Sequence, residues 1–133
     1  MPIKRVTSPH VKEPPPGTWS NCRLHGNQVF VAGMTANDSQ GGLLGDGSTY
    51  SQARETFTKI KHFIEAAGGT MNDIVRVDIY VTDITQREEV WRARREFFTG
   101  DFPTSTLVEV RALATPRLCV EVNAIGFLGA SSG

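Results

Sequence analysis

The sequence predicts an α+β protein with the element order β-β-α-β-α-β-β and two helices on one face of a sheet. Two periodicities carry this reading. Ala53, Phe57, Ile60 and Ile64 recur at spacings of four, three and four, which is one face of a helix, whereas Val75, Val77, Ile79 and Val81 alternate with Arg76, Asp78 and Tyr80, which is a strand with one apolar face. A third observation concerns coverage. Two helices can cover one sheet face only, and the other face mixes Glu109, Glu121, Arg76 and Asn123 with Leu107 and Ile125, making it a candidate for burial by association.

The elements follow in order. Residues 1–16 form an extended N-terminal segment, because Pro9, Pro14, Pro15 and Pro16 fix φ and lack amide donors. A short strand follows over 18–24, a turn at His25-Gly26-Asn27, and a buried strand from Gln28 to Gly33. Residues 35–49 are rich in Gly, Asp, Asn and Ser but lack G-x-x-x-x-G-K-[ST], so a surface loop is expected rather than a phosphate cradle. Thr49 and Gln52 fit a capping box for the first helix, with Thr49 as N-cap, and Gly68-Gly69 ends it. The 75–81 strand comes next. A second helix starts within the polar run 83–89, buries Val90, Ala93, Arg94, Phe97 and Phe98, and stops at Gly100 and Pro103. The last two strands, 105–111 and 118–125, are expected to pair as a hairpin, followed by a frayed tail over 129–133.

Composition narrows the function. The 133 residues suit one domain spanning 1–133, and 14 basic residues balance 14 acidic ones. No basic run offers a footprint for nucleic acid, which is not expected as a partner. No stretch approaches the ~20 apolar residues that cross a bilayer, and the N-terminus has no apolar core of a signal peptide, so a cytoplasmic location without a membrane partner is expected. Cys22 and Cys119 lack metal spacing and read as reduced thiols. His10, His25 and His62 are dispersed, with Lys59, Lys61 and His62 read as a polar helix face. No metal site and no cofactor is expected.

Three segments then carry a family resemblance: Phe30-Val31-Ala32-Gly33, the run Glu65-Ala66-Ala67-Gly68-Gly69 with Asp73-Ile74-Val75, and Phe102-Pro103-Thr104-Ser105-Thr106-Leu107-Val108-Glu109-Val110 with Glu121, Ala124 and Ile125. Together they resemble the Rid (reactive intermediate deaminase, YjgF-like) family from about Gly17 to Phe127. The resemblance implies a chorismate-mutase-like mixed sheet, a ring-like homotrimer and ligand clefts between subunits. It also implies hydrolysis of a small enamine or imine metabolite.

The resemblance assigns site residues position by position. Glu121 matches the glutamate that positions the hydrolytic water; a structural carboxylate at a subunit interface is the other reading. Gly33 matches the glycine whose amide meets ligand, with Ala32 beside it in place of serine. Trp19 stands where tyrosine is usual and either walls the cleft or packs in the core. Leu107 and Trp91 fall at further cleft positions. Ser105 replaces the arginine that holds a substrate carboxylate, which implies a substrate whose recognition does not rest on one α-carboxylate. Arg94 either reaches this site or joins Arg92 and Arg95 in pairing with Glu88, Glu89 and Glu96. The alternative function is a non-catalytic trimeric binder of a small molecule.

Overall fold

The last strand of the chain is the centre of the sheet. In a computed structural model that describes residues 1–132, β6 (Val120–Phe127) lies between β3 (Gln28–Met34) and β4 (Ile74–Val81) and runs antiparallel to both. Beyond β3 come β2 (Cys22–His25) and β1 (Lys4–Arg5); beyond β4 comes β5 (Thr104–Glu109). The six strands follow the order β1-β2-β3-β6-β4-β5. Helix α1 (Thr49–Ala66) precedes β4, and α2 (Arg87–Arg94) links β4 to β5. The α+β class and the two helices against one sheet face agree with expectation.

The expected hairpin does not form. β5 pairs with β4 in parallel, Val77 opposite Ser105 and Ile79 opposite Leu107, and β4 separates it from β6. A parallel neighbour needs a crossover, and α2 supplies it. Alternation marks a segment as a strand but does not name its partner. The consequence reaches the site. Ser105, Leu107 and Glu109 share a face with Val77, Ile79 and Val81, which are buried, whereas Glu121 lies opposite Tyr80 on the other face. The face expected to hold Glu121 together with Leu107 and Glu109 is therefore two faces.

The core is built from the two periodicities. Phe57, Ile60, Phe63 and Ile64 of α1 are fully buried with Val29, Val77, Ile79, Val120 and Val122 of the sheet. Burial of each such side chain contributes about 1.5–3 kcal/mol.

The edges of the elements bring smaller corrections. The N-cap of α1 is Ser48, whose side chain accepts from Ser51 N; Thr49 is already helical. The 1–16 segment is not wholly irregular, since Lys4 and Arg5 pair with Leu24 and Arg23. The rings of His10 and His62 stack at 4.2 Å and hold this segment against α1, so these two histidines are not dispersed in space. The tail is tied down: Asp73 Oδ1 accepts from Ser131 N at 2.9 Å and Ser131 Oγ at 2.8 Å, within a short helical turn over Ala130–Ser132. Gly133, the end of the expected frayed tail, lies outside the described residues.

Candidate functional site

Glu121 sits one step into β6, where the alternation aims it away from the helices. Its neighbour across the sheet is Gly33, at a register shift between Val31 and Met34 in the β3–β6 pairing. A bulge at this point turns the backbone toward the side chain opposite. A Cβ on Gly33 would stand 2.8 Å from Glu121 Cδ, so the glycine's place is marked by close approach to the Glu121 side chain and not by its φ.

Both residues line a cavity of about 410 Å³. One wall is the N-terminal segment 11–15, another the 37–43 loop, a third the Ala114–Leu118 connection. Trp19 stands at the rim. It is 58% exposed, which excludes core packing, and its Nε1 donates to Asn21 Oδ1 at 3.1 Å. Asn21 in turn donates to Lys12 O at 3.1 Å, so the indole and the N-terminal segment are held by one side chain.

Glu121 has no hydrogen-bond or ion-pair partner among the described residues, and burial raises its pKa above the usual glutamate value. A carboxylate in that condition is a better proton acceptor than an exposed one.

Sequence reasoning missed Lys59 in this cavity. It is 9% exposed, and its Nζ donates to Asn37 O at 2.7 Å and Asn37 Oδ1 at 2.8 Å. Burial lowers its pKa. It is not on a polar face as expected. Gln52, Thr56, Lys59 and Phe63, spaced by four, three and four, are all buried, and this polar stripe at core spacing was the signal. Gln52 belongs to the same stripe. Its Nε2 donates to Gly47 O at 3.1 Å and Arg117 O at 2.9 Å, and its Oε1 accepts from Cys119 N at 2.8 Å. These bonds fix the chain entering β6 just before Glu121.

The remaining expected site residues lie elsewhere. Ala32 borders a second hollow of about 350 Å³ with Phe30 and Arg23. Trp91 is half-buried on α2; Leu107 is half-buried and Ser105 exposed on edge strand β5. Arg94 Nη1 donates to Ser105 Oγ at 3.0 Å. Arg92 pairs with Glu89 at 2.6 Å, as expected for that face, but Arg94 does not join it. Within one chain these residues thus fall into two groups, Trp19, Gly33 and Glu121 in one and Trp91, Arg94, Ser105 and Leu107 in the other, with β4 between the β6 of Glu121 and the β5 of Ser105 and Leu107. Among the described residues no group of three or more His, Cys, Asp or Glu could hold a metal ion, and no helix is long and apolar enough to cross a membrane.

Comparison with known proteins places this geometry in context. The family model described as endoribonuclease L-PSP matches residues 11–127. A RutC family protein of Pyrococcus horikoshii is 31% identical over 113 residues, covering 85% of this chain and 89% of that protein. A 2-iminobutanoate/2-iminopropanoate deaminase of Dermatophagoides farinae is 28% identical over 113 residues, covering 85% and 88%. Among solved structures, a protein of unknown function from Pseudomonas aeruginosa superposes with a TM-score of 0.86 at 36% identity, covering 96% of this chain and 93% of that one. RidA from an Antarctic Psychrobacter superposes with a TM-score of 0.83 at 26% identity, covering 94% and 99%.

Proposed function

Because the chain belongs to the Rid (YjgF-like) family, to which the endoribonuclease L-PSP model corresponds, we propose that it hydrolyses the C=N bond of a small imine or enamine tautomer in a cleft between subunits. The observation that carries this is the unpartnered, half-buried Glu121 carboxylate packed against Gly33 in a cavity of small-metabolite size. Glu121 takes a proton from water, whose oxygen bonds to the imine carbon. The C=N π bond opens to a carbinolamine, the nitrogen is protonated, and ammonia leaves as the C=O bond forms. Gly33 allows the ligand to approach the backbone, and Trp19 closes the rim over it. Residues Trp91, Ser105 and Leu107 of a neighbouring copy complete the cleft in a homotrimer. Their distance from Glu121 within one chain supports a site assembled from two. A cytoplasmic setting belongs to the same proposal.

A ribonuclease reading has no support from the balanced charge, with 14 basic and 14 acidic residues. The second reading is a binder without chemistry, favoured by Ser105 standing in place of arginine. The test is keto-acid release from 2-iminobutanoate generated in situ by an amino-acid oxidase, for wild type and Glu121→Gln. The expected loss is about 10²-fold or more in rate above the uncatalysed background. Equal rates in the two proteins would leave the binder.

A further inference from the structure

Among the described residues Lys59 is the one buried cation: it is 9% exposed and lines the cavity that holds Glu121. An ammonium carries three N–H donors. Two go to Asn37, at 2.7 Å to its carbonyl and 2.8 Å to its side-chain oxygen, and the third has no acceptor among the described residues. Asp38 and Glu55 act on Lys59 only through space, since no acid forms an ion pair with it. A desolvated charge is costly until its donors and its charge are both met.

Two further cations line the same cavity, and no acid holds either of them. Lys12 Nζ donates to Ser39 O at 3.3 Å and Arg117 Nη2 to Gly41 O at 3.4 Å. Both bonds are longer than the usual ~2.7–3.2 Å, and both side chains are exposed, so each can turn to a ligand at small cost. The acids at this end are engaged. Glu13 pairs with Arg5 at 3.1 Å, and Asp38 Oδ1 accepts from Gln40 N at 2.8 Å and Gly42 N at 2.7 Å. With those amides taken, the 37–43 loop turns carbonyls to the cations, and any capacity to hold an anion lies in the three side chains. Glu121 stands apart from them. Burial alone raises its pKa, whereas a cation beside it would lower it. The cavity therefore has two ends, a carboxylate against Gly33 and three cations around the 37–41 backbone.

We propose that Lys59, with Lys12 and Arg117, forms a cationic end of the Glu121 cavity and holds an anionic group that the ligand carries several bonds away from the carbon facing Glu121. Lys59 supplies a fixed donor, oriented by Asn37, and the two exposed cations close on the anion from the N-terminal segment and from the connection into β6. The ligand class is a small carbonyl or imine compound with a remote carboxylate or phosphoryl group. A ligand anchored at that distance needs no arginine at position 105. The reacting carbon is named on the hydrolase reading above; the cationic end is not.

The test reads binding without turnover. 4-Oxopentanoate and 3-oxobutylphosphonate each place an anion several bonds from a ketone, and 2-pentanone is the uncharged control. All three are titrated by calorimetry at one low ionic strength. The proteins are wild type, Lys59→Met and the double variant Lys12→Gln/Arg117→Gln, each first checked for a native circular dichroism spectrum. Wild type should bind at least one of the anions about tenfold or more tightly than 2-pentanone, and the tighter anion names the group. Both variants should lose most of that preference while binding 2-pentanone as wild type does. If Lys59→Met does not fold, the double variant, altered only at exposed side chains, decides. No preference for either anion in wild type, or a preference that survives in the folded variants, overturns the cationic end. Hydrolysis of 2-iminobutanoate by wild type with no such preference leaves the hydrolase reading and removes this one. A preference lost in the variants, with no imine hydrolysed by wild type, does the reverse.

Discussion

At the scale of single residues, Glu121 and Gly33 are one unit. Gly33→Ala would drive a methyl group into the end of the Glu121 side chain, which is free to move aside. The expected outcome is a folded protein, with stability changed by less than about 1 kcal/mol, whose rate falls toward that of Glu121→Gln. Thermal melting and the imine assay read the two effects separately. The pH dependence follows from the direction of the Glu121 shift. Burial raises its pKa, so the proton-accepting form is lost as pH falls through that raised value, and the acid limb of the rate profile lies above the usual glutamate range. The sign for stability is the opposite. A carboxyl whose folded pKa is raised favours folding when protonated and opposes it when charged. Glu121→Gln should therefore melt higher than wild type at neutral pH, and the gain should vanish below the pKa of an unfolded glutamate. A lower melting temperature at neutral pH would show that the carboxylate is held by bonds rather than merely desolvated.

Among the elements, the connection that leads into β6 decides where Glu121 stands, and α1 controls it through Gln52. Gln52→Leu removes bonds to Gly47, Arg117 and Cys119 and leaves buried backbone groups unpaired. A loss of about 2–3 kcal/mol is expected from chemical denaturation, with the imine assay falling by more than the unfolded fraction explains. The elements themselves were largely legible in the sequence. Val75–Val81 and Val120–Ala124 alternate cleanly, and Phe57, Ile60 and Ile64 mark α1. Pairing was not legible, because β5 carries the same alternation whether its neighbour is β4 or β6. The buried polar stripe of α1 was hidden for a related reason. Lys59 and Gln52 look solvent-facing by residue type, and their bonds to Asn37, Gly47, Arg117 and Cys119 make their burial tolerable. The grouping of Trp19, Gly33 and Glu121 around one cavity was legible because the motifs that carry them lie in or next to strands. The reach of Arg94 to Ser105 stood as one of two readings, since it joins a helix end to an edge strand across the chain.

For the whole molecule, the uncovered sheet face is the feature that calls for company. Phe30 on that face is 43% exposed and Val108 40% exposed. Light scattering behind size exclusion should give about three times the 14.6 kDa chain mass. A sharper check uses the proposed assembly of the cleft from two copies. Trp91→Ala and Glu121→Gln are each expected to lose activity toward 2-iminobutanoate. Coexpressed as mixed trimers, they should regain activity, because one of the three clefts in each mixed trimer then combines an intact Trp91 from one copy with an intact Glu121 from another. No recovery in verified mixed trimers would place both residues in a site of one copy.

The position of β4 between β5 and β6 has a further consequence for how such a protein can change over time. Position 105 and position 121 lie on opposite faces of the sheet and share no neighbour in the strand register. Within one chain, the effects on stability of substitutions at sites so separated combine additively. A lineage can therefore exchange the residue at position 105 without disturbing the fold around Glu121.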